Sequence, residues 1–248
     1  MLEKDEGVVL KTARSGETRL LVTFMSRRRG KIRLMAKGFL SQKHPSRGLL
    51  ETGNHIEVVY YYKENRSLYY IKEASPLAPT FSVRDSLPHL AVYLAAMELL
   101  DQVCYPGSAD EAIVELAVEY GGIVADAKDP LFLFLAFELR LLAVLGAFPD
   151  LTGCAICQRG ADGGTYSARD GASYCREHGQ EAAPAAPGSL ALSAEALALA
   201  HRCAGERLKV LAGEGVAKQT RKDLGKIVHW TYTYHVQGYN LPKSLSLI

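Results

Sequence analysis

The first 75 or so residues read as short strands, and one of them alternates apolar and polar positions with the two-residue period of strands. In Lys31–Lys37 the residues Ile32, Leu34 and Ala36 fall on one side, and Lys31, Arg33 and Lys37 on the other. Gly7–Thr12 and Thr18–Met25 are rich in Val, Leu and Thr, with the turn signal Ser15-Gly16 between them. The basic cluster Arg27-Arg28-Arg29 with Gly30 fills the turn before the third strand. A polar stretch at 38–53, expected to be mobile, leads to His55–Tyr62 and Ser67–Glu73. Five short strands in so short a span have the count and size of an OB barrel.

Pro76 and Pro79 mark a boundary, and from Ser86 the apolar period lengthens to three and four. Leu87–Val103 and Glu111–Val124 predict helices. Asp129-Pro130 starts a third, about Leu131–Leu145, which is apolar on most sides and is expected to be buried, with Gly146 ending it. Residues 182–188, with Pro184 and Pro187, read as a linker. Ser193 starts another helix, a glycine-punctuated segment follows at 205–215, and a last helix covers 218–236. The predicted class is α+β and multidomain: a five-stranded N-terminal OB-fold barrel at 1–77, then a mainly α-helical domain at 80–248. Into that domain a zinc-knuckle segment is inserted at 150–180, and a basic C-terminal helix at 218–238 closes the chain.

Composition adds little until charge is mapped along the chain. Of 248 residues 48% are hydrophobic and 23% charged, ordinary globular usage that argues against disorder. No apolar run is long enough to span a membrane, and Glu3, Lys4, Asp5 and Glu6 do not suit a secretory signal, so a cytoplasmic protein is expected. Residues 1–75 hold 15 Lys/Arg against 8 Asp/Glu, a net +7; residues 76–201 hold 6 against 16, a net −10; residues 202–248 hold 8 against 3, a net +5. A basic face commonly meets phosphate. Arg27, Arg28, Arg29, Lys31, Arg33 and Lys37 are the candidate cations of the head, and Arg221, Lys222 and Lys226 a second set on the last helix. These last stand in the helix's first half, against the macrodipole preference. Tyr60, Tyr61, Tyr62, Tyr69 and Tyr70 are candidates to stack on bases, though alternation sends about half of them into the barrel core.

Three of the five cysteines lie in 150–180. Cys154-Ala155-Ile156-Cys157 is followed, after 17 residues, by Cys175-Arg176-Glu177-His178. Two residues between paired ligands let a tight turn aim both at one ion, and two such knuckles make a closed four-coordinate site, so one structural zinc is expected. Cys154 and Cys157 as a redox pair would want a βαβ context that is missing here. Cys175 as a small core residue, and His201 or Cys203 in the place of His178, stay open. No catalytic Ser/His/Asp set, paired carboxylates or phosphate-gripping glycine loop stands out, which favours a binding protein over an enzyme.

The order of parts resembles the bacterial recombination mediator RecO family. The stretches that carry the resemblance are Val9–Thr12, Gly16–Thr23, Gly30–Gly38, Phe137–Leu142 running into the first knuckle, and Leu241–Leu245. The resemblance covers essentially the whole chain. It implies a DNA-repair protein without covalent chemistry of its own, nucleoid-associated, that binds single- and double-stranded DNA and anneals complementary strands. It also implies help from the partner RecR in loading RecA onto DNA coated by single-strand-binding protein (SSB). Such proteins often carry a cysteine where His178 stands, and some carry adjacent arginines where Leu135-Ala136 stands. The acidic, apolar-ended tail of SSB is expected at Arg140, with Leu139 and Leu142 as walls of a groove; the competing expectation pairs Arg140 with an acidic side chain of a neighbouring helix. An RNA-binding OB–zinc module of the translation apparatus, and a zinc or thiol enzyme, are the alternative classes.

Overall fold

The computed structural model describes residues 1–39, 48–78, 82–161, 164–182, 187–191 and 193–248. Parts of the stretch expected to be mobile and of the 182–188 linker, with Pro79, Gly163 and Pro184, lie outside the described residues. The chain folds as two compact units, Met1–Ala125 with Pro242–Ile248, and Asp126–Leu241. Among the described residues no helix is long and apolar enough to cross a membrane.

In the first unit five strands close into a barrel in the order β1-β2-β3-β5-β4. They are β1 Leu2–Arg14, β2 Arg19–Ser26, β3 Gly30–Lys37, β4 His55–Tyr61 and β5 Leu68–Pro76. Their inward residues form the core: Leu20, Val22 and Phe24 of β2 stand opposite Ala36, Leu34 and Ile32 of β3. Ile56, Val58 and Tyr60 of β4 and Tyr69 and Ile71 of β5 complete it. Closure depends on β1, which runs 13 residues. Its first half pairs with β4, from Leu2 opposite Tyr61 to Val8 opposite His55; its second half pairs with β2, from Gly7 opposite Ser26 to Arg14 opposite Leu20. The register slips between Val9 and Lys11, and such a bulge lets one strand bend into both neighbours. At the crossover Gly7 is packed so closely that a Cβ would sit 1.9 Å from the Met25 carbonyl oxygen.

Helices α1 (Leu87–Val103) and α2 (Glu111–Ile123) belong to the same unit. Asp110 caps α2 by accepting from the Ala112 N–H. A 3₁₀ turn at Lys243–Leu247 returns to α1, where Glu98 accepts from the Lys243 N–H at 2.6 Å and the Ser244 hydroxyl at 2.5 Å.

The second unit is built on α3 (Pro130–Val144), whose residues Phe132–Leu139 are all buried. Asp129 caps it from the Phe132 N–H, and Gly146 ends it with φ +70°. Helices α5 (Ala194–Gly205), α6 (Leu208–Leu211) and α7 (Lys218–His235) pack against α3. Between α3 and α5 lie a small sheet in the order β6-β8-β7-β9 and the short helix α4 (Arg176–Ala182). Its strands are β6 Asp150–Cys154, β7 Thr165–Ser167, β8 Ala172–Tyr174 and β9 Ser189–Ala191.

Candidate metal centre and basic groove

The metal centre follows from two turns. β6 ends at Cys154, and the chain folds back so that Cys154 N–H reaches the Arg159 carbonyl at 2.7 Å and Gln158 N–H the Cys154 carbonyl at 2.8 Å. Gln158 takes φ +61° to do so. β8 ends just before Cys175, and the first turn of α4 brings His178 round to it. The β7–β8 hairpin that joins the two turns needs Gly164, where a Cβ would sit 1.9 Å from the Tyr174 carbonyl.

The four donor atoms of Cys154, Cys157, Cys175 and His178 lie within 4.8 Å of one another. Cys157 Sγ is 3.9 Å from Cys175 Sγ, and His178 Nδ1 is 3.5 Å from Cys154 Sγ and 3.3 Å from Cys175 Sγ. A tetrahedral zinc would place sulfurs about 3.8 Å apart and sulfur and nitrogen about 3.5 Å apart. The three distances given lie within a few tenths of an ångström of those values, so the donor set fits one such cation. Burial pushes the Cys154 thiol up, but the N–H groups of Cys157, Cys175 and Ile156 outweigh it and bring it to about 5. The Arg159 N–H lowers Cys157 against the effect of burial. The His178 N–H lowers Cys175, yet burial and the neighbouring Cys154 and Cys157 leave its net shift upward. Backbone N–H donors therefore favour the thiolates of Cys154 and Cys157, and Cys175 is not favoured in the same way. Cys104 and Cys203 are both buried and pushed up to about 12 by desolvation.

A groove of about 780 Å³ opens on the first unit beside β1, β2 and β3 and the β4–β5 turn. Its cations are Lys11, Arg29, Lys31, Arg33 and Arg66, and Tyr62 and Tyr69 line it. They are not equivalent. Both Nε and Nη2 of Arg29 donate to Glu3 at 2.7 Å, and its guanidinium lies 3.7 Å over the Tyr62 ring. The Arg29 fork holds Glu3 below the usual carboxylate range, against a smaller effect of burial. Lys31 donates to the Asp101 carbonyl at 2.5 Å and lies 3.3 Å from its carboxylate. Lys11, Arg33 and Arg66 are exposed and make no ion pair among the described residues.

The other basic residues singled out by the sequence divide the same way. Arg27 lies outside the groove, bound to Glu6 at 2.5 Å, Glu115 at 3.4 Å and Glu111. Arg28 is exposed and without an ion pair among the described residues. Lys37 stands 4.6 Å over the Tyr70 ring. Tyr60 and Tyr69 are buried in the core, Tyr62 is half-buried, and Tyr61 and Tyr70 are exposed. On α7, Arg221 binds the capping carboxylate of Asp129 at 2.6 Å, Lys226 lies 3.3 Å from Asp223, and Lys222 is exposed. Arg140 is half-buried, and its Nη1 donates to the Ala204 carbonyl at the end of α5 at 2.6 Å. Leu139 and Leu142 are fully buried. Lys11 and Arg66 were missed by sequence reasoning. The outward position of Lys11 on its strand, and the place of Arg66 in the β4–β5 turn that OB barrels use for ligands, were the available signals.

Comparison with known proteins agrees with this arrangement. Residues 1–80 match the family model described as recombination protein O N terminal, and residues 84–245 the one described as recombination protein O C terminal. The chain is 30% identical over 181 residues to the DNA repair protein RecO of Exiguobacterium sibiricum, and 26% identical over 181 residues to that of Bacillus cytotoxicus. Each alignment spans 73% of this chain and 72% of the relative.

Proposed function

The chain belongs to the recombination protein O family, and from that premise we propose that it is a DNA-repair and recombination mediator that binds DNA strands through its barrel groove. The observation that carries this reading is the groove itself, which holds three cations without an ion pair among the described residues, Lys11, Arg33 and Arg66, and the ring of Tyr62, one face of which the Arg29 guanidinium covers. Cations along a backbone and a ring under a base are the two contacts that single strands require. No base-reading helix is needed for either, so binding is independent of sequence and extends to double strands through phosphate. Holding strands without modifying them brings complements together, and annealing follows from binding with no covalent step. With RecR, such a protein helps load RecA onto SSB-coated DNA, and it works in the cytoplasm at the nucleoid.

The metal centre holds one zinc in this reading. The residues that hold it are Cys154, Cys157, Cys175 and His178, and a closed ligand shell leaves no position for a reacting water, so its part is to fold the 150–180 segment. The SSB tail is proposed to dock at Arg140 through the guanidinium nitrogens that do not reach Ala204. With Leu139 and Leu142 buried, its apolar end must find a different wall.

The test is a strand-annealing assay on complementary oligonucleotides, run in parallel with single-strand binding at several salt concentrations. About four cations contacting phosphates give a log–log salt slope near −3 on single strands. Absence of annealing together with a salt-independent affinity overturns the proposal, and tighter binding to RNA than to DNA of one sequence moves it to the translation apparatus.

A further inference from the structure

The solvent face of α7 carries a line of side chains that the barrel groove does not use. Lys218, Lys222, Lys226, Trp230 and Tyr234 stand four residues apart, so they form one ridge along the helix. At 1.5 Å per residue the ridge is about 24 Å long, with cations first and rings last. Lys218 and Lys222 are exposed and make no ion pair among the described residues. Lys226 lies 3.3 Å from the half-buried Asp223, a pair within one helix that contributes little. Lys218 stands in the first turn, where a cation opposes the helix macrodipole, and no side chain caps that end. Stability alone does not explain that placement, whereas an anion laid along it would be attracted by both the lysines and the helix terminus.

The rings are held from behind. The Tyr234 hydroxyl donates to the Pro187 carbonyl at 2.9 Å. Gly188, at φ +87°, lies so close that a Cβ would sit 2.8 Å from Tyr234 and 3.6 Å from Trp230. The two ring centres are 6.2 Å apart at 37°. Tyr234 remains 42% exposed, and the exposed His229 stands edge-on to Trp230 at 5.4 Å. Rings fixed this way present a surface without losing side-chain freedom when something stacks on them.

We propose that this ridge is a second single-strand site, in the helical unit, with Lys218, Lys222 and Lys226 on phosphates and Trp230 and Tyr234 under bases. The proposal rests on the reading of the chain as a DNA-strand binder and adds the place of the second strand. With one site in each unit, a single chain holds both complements during annealing.

Trp230 is the chain's only tryptophan, so its emission reports on the ridge. Full-length, zinc-loaded protein is titrated with oligothymidylate while Trp230 emission is followed, and a labelled oligonucleotide reports total binding by anisotropy. The expected result is saturable quenching that survives Lys11→Ala with Arg33→Ala and Arg66→Ala. Lys218→Ala with Lys222→Ala and Lys226→Ala should weaken the quenching about tenfold and slow annealing, with the thermal transition unchanged; Trp230→Leu should weaken strand binding to the groove-deficient protein by a similar factor. Binding by anisotropy without any change in emission overturns the ridge and leaves the groove standing. Quenching that persists when the groove variants do not alter total binding keeps the ridge and overturns the groove. Equal quenching by a polyglutamate peptide of the same charge makes the ridge a protein-tail site and overturns the assignment to nucleic acid. No binding of any oligonucleotide overturns both.

Discussion

Arg29 has two fork positions filled by Glu3 and one face covered by Tyr62, so it forms a wall of the groove, while Arg33 on the neighbouring strand points freely into solvent. The two arginines should therefore fail differently. Arg33→Ala should weaken single-strand binding evenly across sequences and reduce the salt slope by about 0.7. Arg29→Ala should instead destabilise the barrel by about 1–2 kcal/mol, because it strands Glu3 and uncovers Tyr62. Denaturation midpoints set beside salt titrations separate the two; an unchanged midpoint in Arg29→Ala would remove the wall from this account. Glu138 supplies a second residue-scale prediction. It is fully enclosed in α3, and desolvation raises its carboxyl well above the usual range. A folded-state pKa raised in this way favours the folded form below the unfolded value of about 4.3. That contribution is lost as pH climbs, by up to about 1.4 kcal/mol per unit. Urea midpoints between pH 5 and 8 should fall with pH in the wild type and flatten in Glu138→Gln.

At the scale of elements, strand-rich composition, alternation in Lys31–Lys37 and turn signals located the five strands; three-and-four spacing located α1 and α2, and start signals at Asp129-Pro130 and Ser193 located α3 and α5. Residues Leu2–Glu6 were not read as strand because four of the five are charged. The structure resolves the contradiction across strands: Lys4 meets Glu57 at 3.0 Å, Glu3 meets Arg29, and the buried Asp5 accepts from Ser26. None of these partners lies within reach of a local window. The same reason hid the pairing of Arg27 with Glu111 and Glu115, more than eighty residues away. The candidate metal cluster was legible because knuckle spacing is itself local. Within that segment the Cys154 and Tyr174 cluster sits on the candidate ligands themselves, and the buried Tyr166 reaches Thr231 of α7. Metal binding should consequently be folding energy for it. Chelation, Cys154→Ser or Cys175→Ser is expected to raise amide exchange across 150–180 while α3 and the barrel strands keep their protection. An unchanged exchange pattern in metal-free protein would show that the hairpin stands unaided.

For the whole molecule, the net charge of +2 conceals basic ends around an acidic middle. The structure shows that part of the N-terminal excess is already neutralised within its own unit, by Asp101, Glu111 and Glu115. Total charge thus overstates what is available to phosphate, and exposure with pairing is the better guide. The segment 242–248 matters at this scale as well. Pro242 is buried, and Glu98 of α1 receives two hydrogen bonds from Lys243 and Ser244. Deleting 242–248 should cost the first unit about 1–3 kcal/mol, read as a fall of a few degrees in its thermal transition and faster exchange in α1. A transition that does not move would make the returning turn incidental.

That returning turn also sets a timetable. Ser244 lies 146 residues downstream of Glu98, and at a synthesis rate of about 5–20 residues per second the ribosome needs roughly seven to thirty seconds to cover the gap. The barrel and α1 emerge first, and they wait through translation of the entire helical unit before their last contact exists. During that interval Glu98 is unpartnered by the tail, and a nascent chain paused anywhere before residue 242 carries a first unit that has not yet closed.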